Sequence, residues 1–333
     1  MNWSLPVQLG LSGKPKATHT LGNFNSPRTN GCNHMGLLAK THEVFLRKIT
    51  SIAAISVGLV CLFGAFAAQA EPSNDSQRFI SIGSSLTEIV YALGAQDKLV
   101  AVDTTSLYPP EATELLNVGY MRALSAEGVL SANPDHILMM EGSGPATTVD
   151  VLKAASIQLT EVEEIYSPEG ILNKIDRVGN ALQMPEKAEA LKAKVKSDLE
   201  AAMEYASQQA KPLKVMFVIS ANSGKPLIAG RGTGAHAVIG LAGATNVFSN
   251  LRGYKPVSNE AIIAAAPDVV MMMSRPGSGG ASEILEGAGF NLTPAGIKGN
   301  LIVMDGVYLL GFGPRTAAAI RELSDRFAAV AAE

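Results

Sequence analysis

Gly119-Tyr120-Met121-Arg122-Ala123-Leu124-Ser125-Ala126-Glu127 runs through Gly128 into Asn133-Pro134-Asp135-His136-Ile137-Leu138-Met139-Met140. Its second half returns as Ser258-Asn259-Glu260-Ala261-Ile262-Ile263-Ala264-Ala265-Ala266-Pro267-Asp268-Val269-Val270-Met271-Met272. The offset from Glu127 to Glu260 is 133 residues, and it holds without a gap from Ser125/Ser258 to Met139/Met272. The dipeptide Gly119-Tyr120 returns as Gly253-Tyr254, with one residue fewer before the serine. Each copy reads as a short helix, a Pro-Asp turn and an apolar strand. Proline cannot continue a helix, so Pro134 ends the first copy's helix. Ile137–Met140 is an uninterrupted apolar run, the mark of a strand covered on both faces in a parallel sheet. A helix feeding a buried strand, met twice, predicts an α/β protein of two related lobes.

The 333-residue chain is 47% hydrophobic and 17% charged with a net charge of −3, enough for two domains and without the basic excess that nucleic acid requires. Residues 1–34 are polar and aperiodic and are read as an unstructured upstream extension without function. From Met35 a secretory signal follows: Lys40, Arg47 and Lys48, an apolar run from Ile52 to Phe66, and the small-x-small exit Ala68-Gln69-Ala70. The run is short for a membrane span, and the exit predicts cleavage before Glu71 and a periplasmic product. Cys32 and Cys61 both precede that point, so the mature chain lacks thiol chemistry, disulfides and cysteine-held metal.

Strands are expected at 79–82, 99–102, 137–140 and 158–162, with helices at 86–93 and 149–155 and a loop at 104–111. Ser167-Pro168 starts a helix by N-cap and first-turn proline. Ile171, Ile175, Val178 and Leu182 follow, and after Pro185 a second stripe runs through Leu191, Val195, Leu199, Met203 and Ala206. This stretch of more than 40 residues without a strand reads as a rigid helical strut or as a helical subdomain. Strands at 214–220, 269–273 and 301–304 and a last helix to about 330 complete the chain. The organisation expected is an N-terminal βα lobe at 71–165, a helical linker at 166–212 and a C-terminal βα lobe at 213–333. The fold is then α/β, two βα lobes with parallel sheets sandwiched by helices, joined by a long rigid helix.

Gly230-x-Gly232-x-Gly234 lacks both the Lys-Ser/Thr of a nucleotide phosphate loop and the spacing of a dinucleotide fingerprint, and reads as a tight strand-to-helix turn. No Gly-x-Ser-x-Gly elbow is present. The mature chain holds two histidines, His136 inside an apolar strand and His236 at a helix start, too few for a histidine-rich metal site. Tyr120-x-Arg122 falls in a loop before a helix, where α/β domains keep ligand loops. A phenolate is a hard donor suited to ferric iron and a recognised haem ligand, and a neighbouring guanidinium favours the ionised phenol. Spacing alone does not lift the pair above a surface tyrosine and arginine.

The stretches Ser81-Ile82-Gly83-Ser84-Ser85-Leu86-Thr87-Glu88, Val118 to Gly128 and Leu310-Gly311-Phe312-Gly313-Pro314-Arg315-Thr316 resemble those of periplasmic haem-binding proteins of ABC importers. The resemblance spans the mature chain from about Arg78. Its frame is shared with cobalamin and ferric-siderophore binders, whereas Gly-Tyr-Met-Arg is specific to the haem binders. It implies a non-enzymatic, monomeric carrier of haem b (hemin) in the interlobe cleft, with Tyr120 as axial ligand and Arg122 beside it. It also implies that Glu127 and Glu260, one per lobe, dock on arginines of a permease dimer that works with a cytoplasmic ATPase. Some members place a histidine after the strand that here reads Val215–Ser220. This chain has Ala221-Asn222-Ser223 there, which leaves Tyr254 and Arg275 as the residues expected to line the second lobe's face of the cleft. A corrinoid or ferric-siderophore binder of the same fold is the first alternative, and a secreted enzyme using the cleft the second.

Overall fold

The computed structural model describes residues 77–209, 212–221, 225–274, 281–287 and 289–332. The upstream extension, the signal peptide, both cysteines and Arg275 lie outside the described residues.

The first lobe is built on β1 (Phe79–Ile82), α1 (Ser84–Ala92), β2 (Leu99–Val102), β3 (Leu116–Asn117), α2 (Ala126–Leu130), β4 (His136–Met140), α3 (Ala146–Ala154) and β5 (Gln158–Val162). Its strands lie in the order β3-β2-β1-β4-β5, and every pairing is parallel. β1 and β4 are buried along their whole length, which is why neither alternates with exposed polar residues; the polar members, Ser81 and His136, are buried too. α1 starts two residues earlier than expected and α3 three. α3 follows directly on Pro145, whose fixed φ suits the entry to a helix.

Two helices connect the lobes, α4 (Pro168–Ala181) and the 25-residue α5 (Pro185–Gln209). They are separated by Leu182-Gln183-Met184, where Gln183 takes a φ of +58°. The connection is packed rather than free-standing. Ile171, Ile175 and Val178 of α4 and Val195, Leu199 and Ala202 of α5 join one buried cluster with Leu86 and Ile89 of the first lobe and Phe217, Val238 and Leu323 of the second.

The second lobe comprises β6 (Lys214–Ser220), β7 (Leu227–Ala229), α6 (Gly234–Leu241), β8 (Thr245–Asn246), β9 (Tyr254–Pro256), α7 (Asn259–Ala265), β10 (Val269–Ser274), α8 (Pro294–Lys298), β11 (Leu301–Asp305), α9 (Gly306–Leu310) and α10 (Thr316–Ala332). The order is β11-β10-β6-β7-β9, with β8 also on β6. Here the expectation of a parallel sheet is corrected. β10, β11 and β8 run parallel to their partners, but β6/β7 and β7/β9 are antiparallel. The chain turns straight back after β6 instead of crossing through a helix, and such a reversal pairs antiparallel.

The repeat is structural. Asp135 Oδ2 accepts the N–H of Arg78 at 2.8 Å and the Asp135 N–H donates to the Arg78 carbonyl; Asp268 makes the same two bonds with Lys214. Each aspartate thus locks the start of its lobe's central strand to the strand beside it. Asn133 and Ala266, at matching positions of the turn, share a left-handed φ of 48° and 44°. Gly119 and Gly253 also share a positive φ, 99° and 70°, which a glycine adopts without the cost a Cβ brings. The glycine run behaves as read: β7 ends at Ala229 and α6 begins at Gly234, with Thr233 capping it.

Candidate functional site

All strands of the first lobe are parallel, so the chain leaves each of them on one edge. The loops after β2, β3, β4 and β5 therefore lie together. In the second lobe β9 is antiparallel to β7, which is antiparallel to β6, so β9 leaves on the same edge as β6. These carboxyl edges are where open α/β sheets bind ligands.

Tyr120 stands on a stitched loop. The Gly119 N–H donates to Asn117 Oδ1 at 2.8 Å, and the Gly119 carbonyl accepts from Thr104 N–H at 2.9 Å. Beyond it, Gly144 N–H bonds the Met121 carbonyl, Leu124 N–H bonds the Gly144 carbonyl, and Thr148 Oγ1 bonds the Leu124 carbonyl. The Met121 side chain packs into the cores on both faces of the sheet. The backbone is fixed on both sides while the Tyr120 ring remains 46% exposed. Its hydroxyl has no hydrogen-bond partner among the described residues. A phenol that is rigidly mounted and unengaged is free to take a ligand.

The loop after β2 is fixed as firmly. Buried Asp103 accepts from Gly83 N–H and Ser106 Oγ with one oxygen, and from Thr105 N–H and Oγ1 with the other. That network presents Leu107 and Tyr108 to solvent, and Ile165 is exposed after β5. Together with Tyr120 these side chains give the first lobe's edge an apolar, aromatic lip.

Arg122 is exposed, and its charge reaches Glu164 and Tyr166. Sequence reasoning missed Tyr166, which lies at the floor between the lobes. Its ring meets Phe312 of the second lobe edge-on, with centroids 5.2 Å apart. Burial first, then the Glu164 carboxylate and Tyr254, push its phenol up to about 12. Tyr166 therefore keeps its proton at neutral pH. The same electrostatics bring Tyr254 of β9 into the group, since Tyr254 and Arg122 both act on Tyr166 from opposite lobes. Tyr120 and Arg122 follow β3 at the first lobe's carboxyl edge, and Tyr254 is the first residue of β9, paired with Ala229.

Beneath them, fully buried Lys174 of α4 bonds Glu164 Oε1 and, at 3.2 Å, the Phe312 carbonyl. Burial pulls Lys174 down and pushes Glu164 up, and each charge offsets the other's shift. A second tie crosses the lobes where Arg315 meets Glu88, whose carboxyl is raised chiefly by burial. Nothing in the local spacing foretold either pair, because their partners belong to different elements.

Glu127 and Glu260 occupy the same place in equivalent turns. Ser125 Oγ accepts from Gly128 N–H to cap α2, and Ser258 Oγ accepts from Ala261 N–H to cap α7. Each glutamate is the second residue of its helix and is exposed, at the carboxyl edge of its lobe. The Ser258 hydroxyl holds the Glu260 carboxyl below the usual range. Val129 and Ile262 are buried, whereas Leu130 is half-buried and Ile263 is 38% exposed. Successive helical residues stand about 100° apart, so so short a helix hides only one of each pair.

His136 is the packed residue expected. It stacks on Phe79 at 4.8 Å, bonds Thr160 Oγ1 through Nε2 at 2.8 Å, and is held below the usual imidazole range by burial. His236 starts α6, and its Nδ1 lies 3.4 Å from Asn246 Nδ2.

Residues 80–308 match the periplasmic binding protein family. The chain belongs to that family. Its members bind substrates outside the cytoplasm and work with ABC permeases. Among solved structures, the periplasmic heme-binding protein BhuT in complex with two hemes is 37% identical, with a TM-score of 0.73 over 76% of this chain and 98% of that one. The apo periplasmic heme-binding protein RhuT of Roseiflexus sp. RS-1 is 36% identical, with a TM-score of 0.74 over 77% and 99%. Among curated relatives, the uncharacterized ABC transporter substrate-binding lipoprotein YvrC of Bacillus subtilis is 30% identical over 200 residues, which are 59% of this chain and 63% of that protein. The vitamin B12-binding protein of Yersinia pestis is 29% identical over 204 residues, 60% of this chain and 71% of that protein. The matched region thus spans less than two thirds of the first of these relatives.

Proposed function

We propose that this protein is a periplasmic haem carrier and not an enzyme: it binds hemin in the interlobe cleft with Tyr120 on the ferric iron and hands it to an ABC permease. The observation that carries the reading is the mount of Tyr120, an unengaged phenol on a loop bonded at both ends beside the Arg122 charge. The aromatic lip of Leu107, Tyr108 and Ile165 supports it, because a flat tetrapyrrole buries most of its area against apolar side chains. The likeness to the solved heme-binding proteins BhuT and RhuT, at 36–37% identity, points the same way. Protonated Tyr166 and half-buried Tyr254 close the second side as donors and walls. Arg275, expected on that face, lies outside the described residues.

The vitamin B12-binding relatives favour a corrinoid as the second reading. Titration of the purified protein with hemin and with cobalamin decides between them. Hemin is expected to develop the Soret and charge-transfer bands of a ferric tyrosinate, which free hemin does not show. A free-hemin spectrum together with cobalamin-dependent thermal stabilisation overturns the haem reading.

A further inference from the structure

At the junction of the lobes a pocket is lined by Leu107 and Tyr108 from the first lobe and by Asp305, Val307, Tyr308 and Arg315 from the second. Arg315 is held in place there. Its backbone N–H donates to Glu88 Oε1 and its Nε to Glu88 Oε2, each at 2.9 Å. The guanidinium carbon lies 3.5 Å from the Tyr108 ring centroid and 5.3 Å from that of Tyr308. Glu88 therefore occupies one edge of the fork and the aromatic rings fix its plane. The Nη hydrogens have no acceptor among the described residues, although the side chain is only 26% exposed.

A guanidinium held flat, with its outer donors unused, matches a planar carboxylate in two parallel hydrogen bonds. The acid among the pocket's lining residues is Asp305, and its Oδ1 accepts the N–H of Tyr308 at 2.8 Å. The loop that carries Leu107 and Tyr108 is tied to the Tyr120 loop, since Thr104 N–H bonds the Gly119 carbonyl.

On the strength of the haem reading, we infer that Arg315 is the carboxylate receptor of the cleft. It takes an acid side arm of a tetrapyrrole whose flat face lies along Leu107 and Tyr108. It thereby selects acid-bearing porphyrins over corrinoids, whose side arms are amides.

The test compares hemin with hemin dimethyl ester, in which the acids are masked and the ring and iron are unchanged. A hydrogen-bonded charge pair in a part-buried site predicts hemin binding roughly 10- to 100-fold tighter than the ester in the wild type. Arg315→Gln is expected to bring that ratio close to unity while keeping the tyrosinate bands. Equal affinity of the wild type for the two ligands, or an undiminished ratio in Arg315→Gln, overturns the assignment. Should Arg315→Gln fail to fold, Tyr108→Glu at the exposed ring sets a competing carboxylate over the guanidinium and must lower the ratio likewise; an unchanged ratio there also overturns it. Failure of the wild type to give a Tyr120-dependent spectrum removes the haem reading itself. With that spectrum present, an unchanged ratio removes the Arg315 role alone.

Discussion

Asn133 and Ala266 hold the same left-handed backbone, φ 48° and 44°, at the same point of the two halves, each just before a Pro-Asp pair. Both residues carry a Cβ that crowds the following carbonyl, but the short amide of asparagine can hydrogen-bond the local backbone and so visits this region at lower cost than alanine. The two lobes therefore solve one turn with residues of unequal fitness. Ala266→Asn is expected to stabilise the protein by about 1 kcal/mol and Asn133→Ala to destabilise it by a similar amount, read from urea midpoints at constant slope. Opposite signs in either variant refute the account.

Tyr120→Ala is expected to abolish the tyrosinate bands and to weaken hemin binding far more than Tyr254→Ala. Burial of the porphyrin faces leaves the first variant a residual affinity. An unaltered spectrum in Tyr120→Ala removes the ligand assignment and leaves the fold untouched.

Glu127 and Glu260 each sit on the surface and contribute little alone, as exposed ion pairs do. Two contacts with one two-fold partner raise each other's effective concentration. Either single alanine variant is expected to slow uptake partly, and the double variant to nearly abolish it with hemin affinity and melting temperature unchanged. Normal uptake by the double variant, or loss of hemin binding, returns both residues to ordinary first-turn acids at helix starts.

His136 is neutral in the folded state because burial depresses its pKa below 6.5. The unfolded chain therefore binds the proton more readily. The stability this difference contributes is complete above about pH 6.5 and is lost as pH falls through the folded pKa. His136→Phe is expected to flatten the slope of stability against pH as pH falls below about 6.5. A slope equal to that of the wild type is the contrary result.

Removing Lys174 leaves Glu164 and the Phe312 carbonyl without their partner. Lys174→Met is expected to cost about 2–4 kcal/mol, toward the lower end because water still reaches Glu164, and Lys174→Met with Glu164→Gln to recover part of it. A Lys174→Met variant as stable as the wild type contradicts this.

The repeated unit was legible because its punctuation is chemical. Ser125 and Ser258 are caps, Pro134 and Pro267 are stops, and Asp135 and Asp268 tie strands, so residue type implies role. Buried parallel strands were legible as apolar runs. β3, β8 and the β7/β9 ribbon were not, since strands of two or three residues carry no periodicity and exist only through their partners. The burial of Lys174 was not legible, because its charge finds Glu164 ten positions away in a different element. The pairing of Glu88 with Arg315 spans 227 residues and no local pattern encodes it. Tyr166 was invisible for the same reason: what sets its phenol comes from both lobes.

The packed helical connection has a consequence for how the protein comes apart. Ile175 and Leu199 pack in one cluster with Leu86 on one side and Phe217 on the other, so neither lobe owns a complete interior on its inner face. Melting one lobe strips apolar contacts from the helices that the other needs. Calorimetry is therefore expected to show a single cooperative endotherm, with van't Hoff and calorimetric enthalpies in agreement, despite a chain that is visibly written twice.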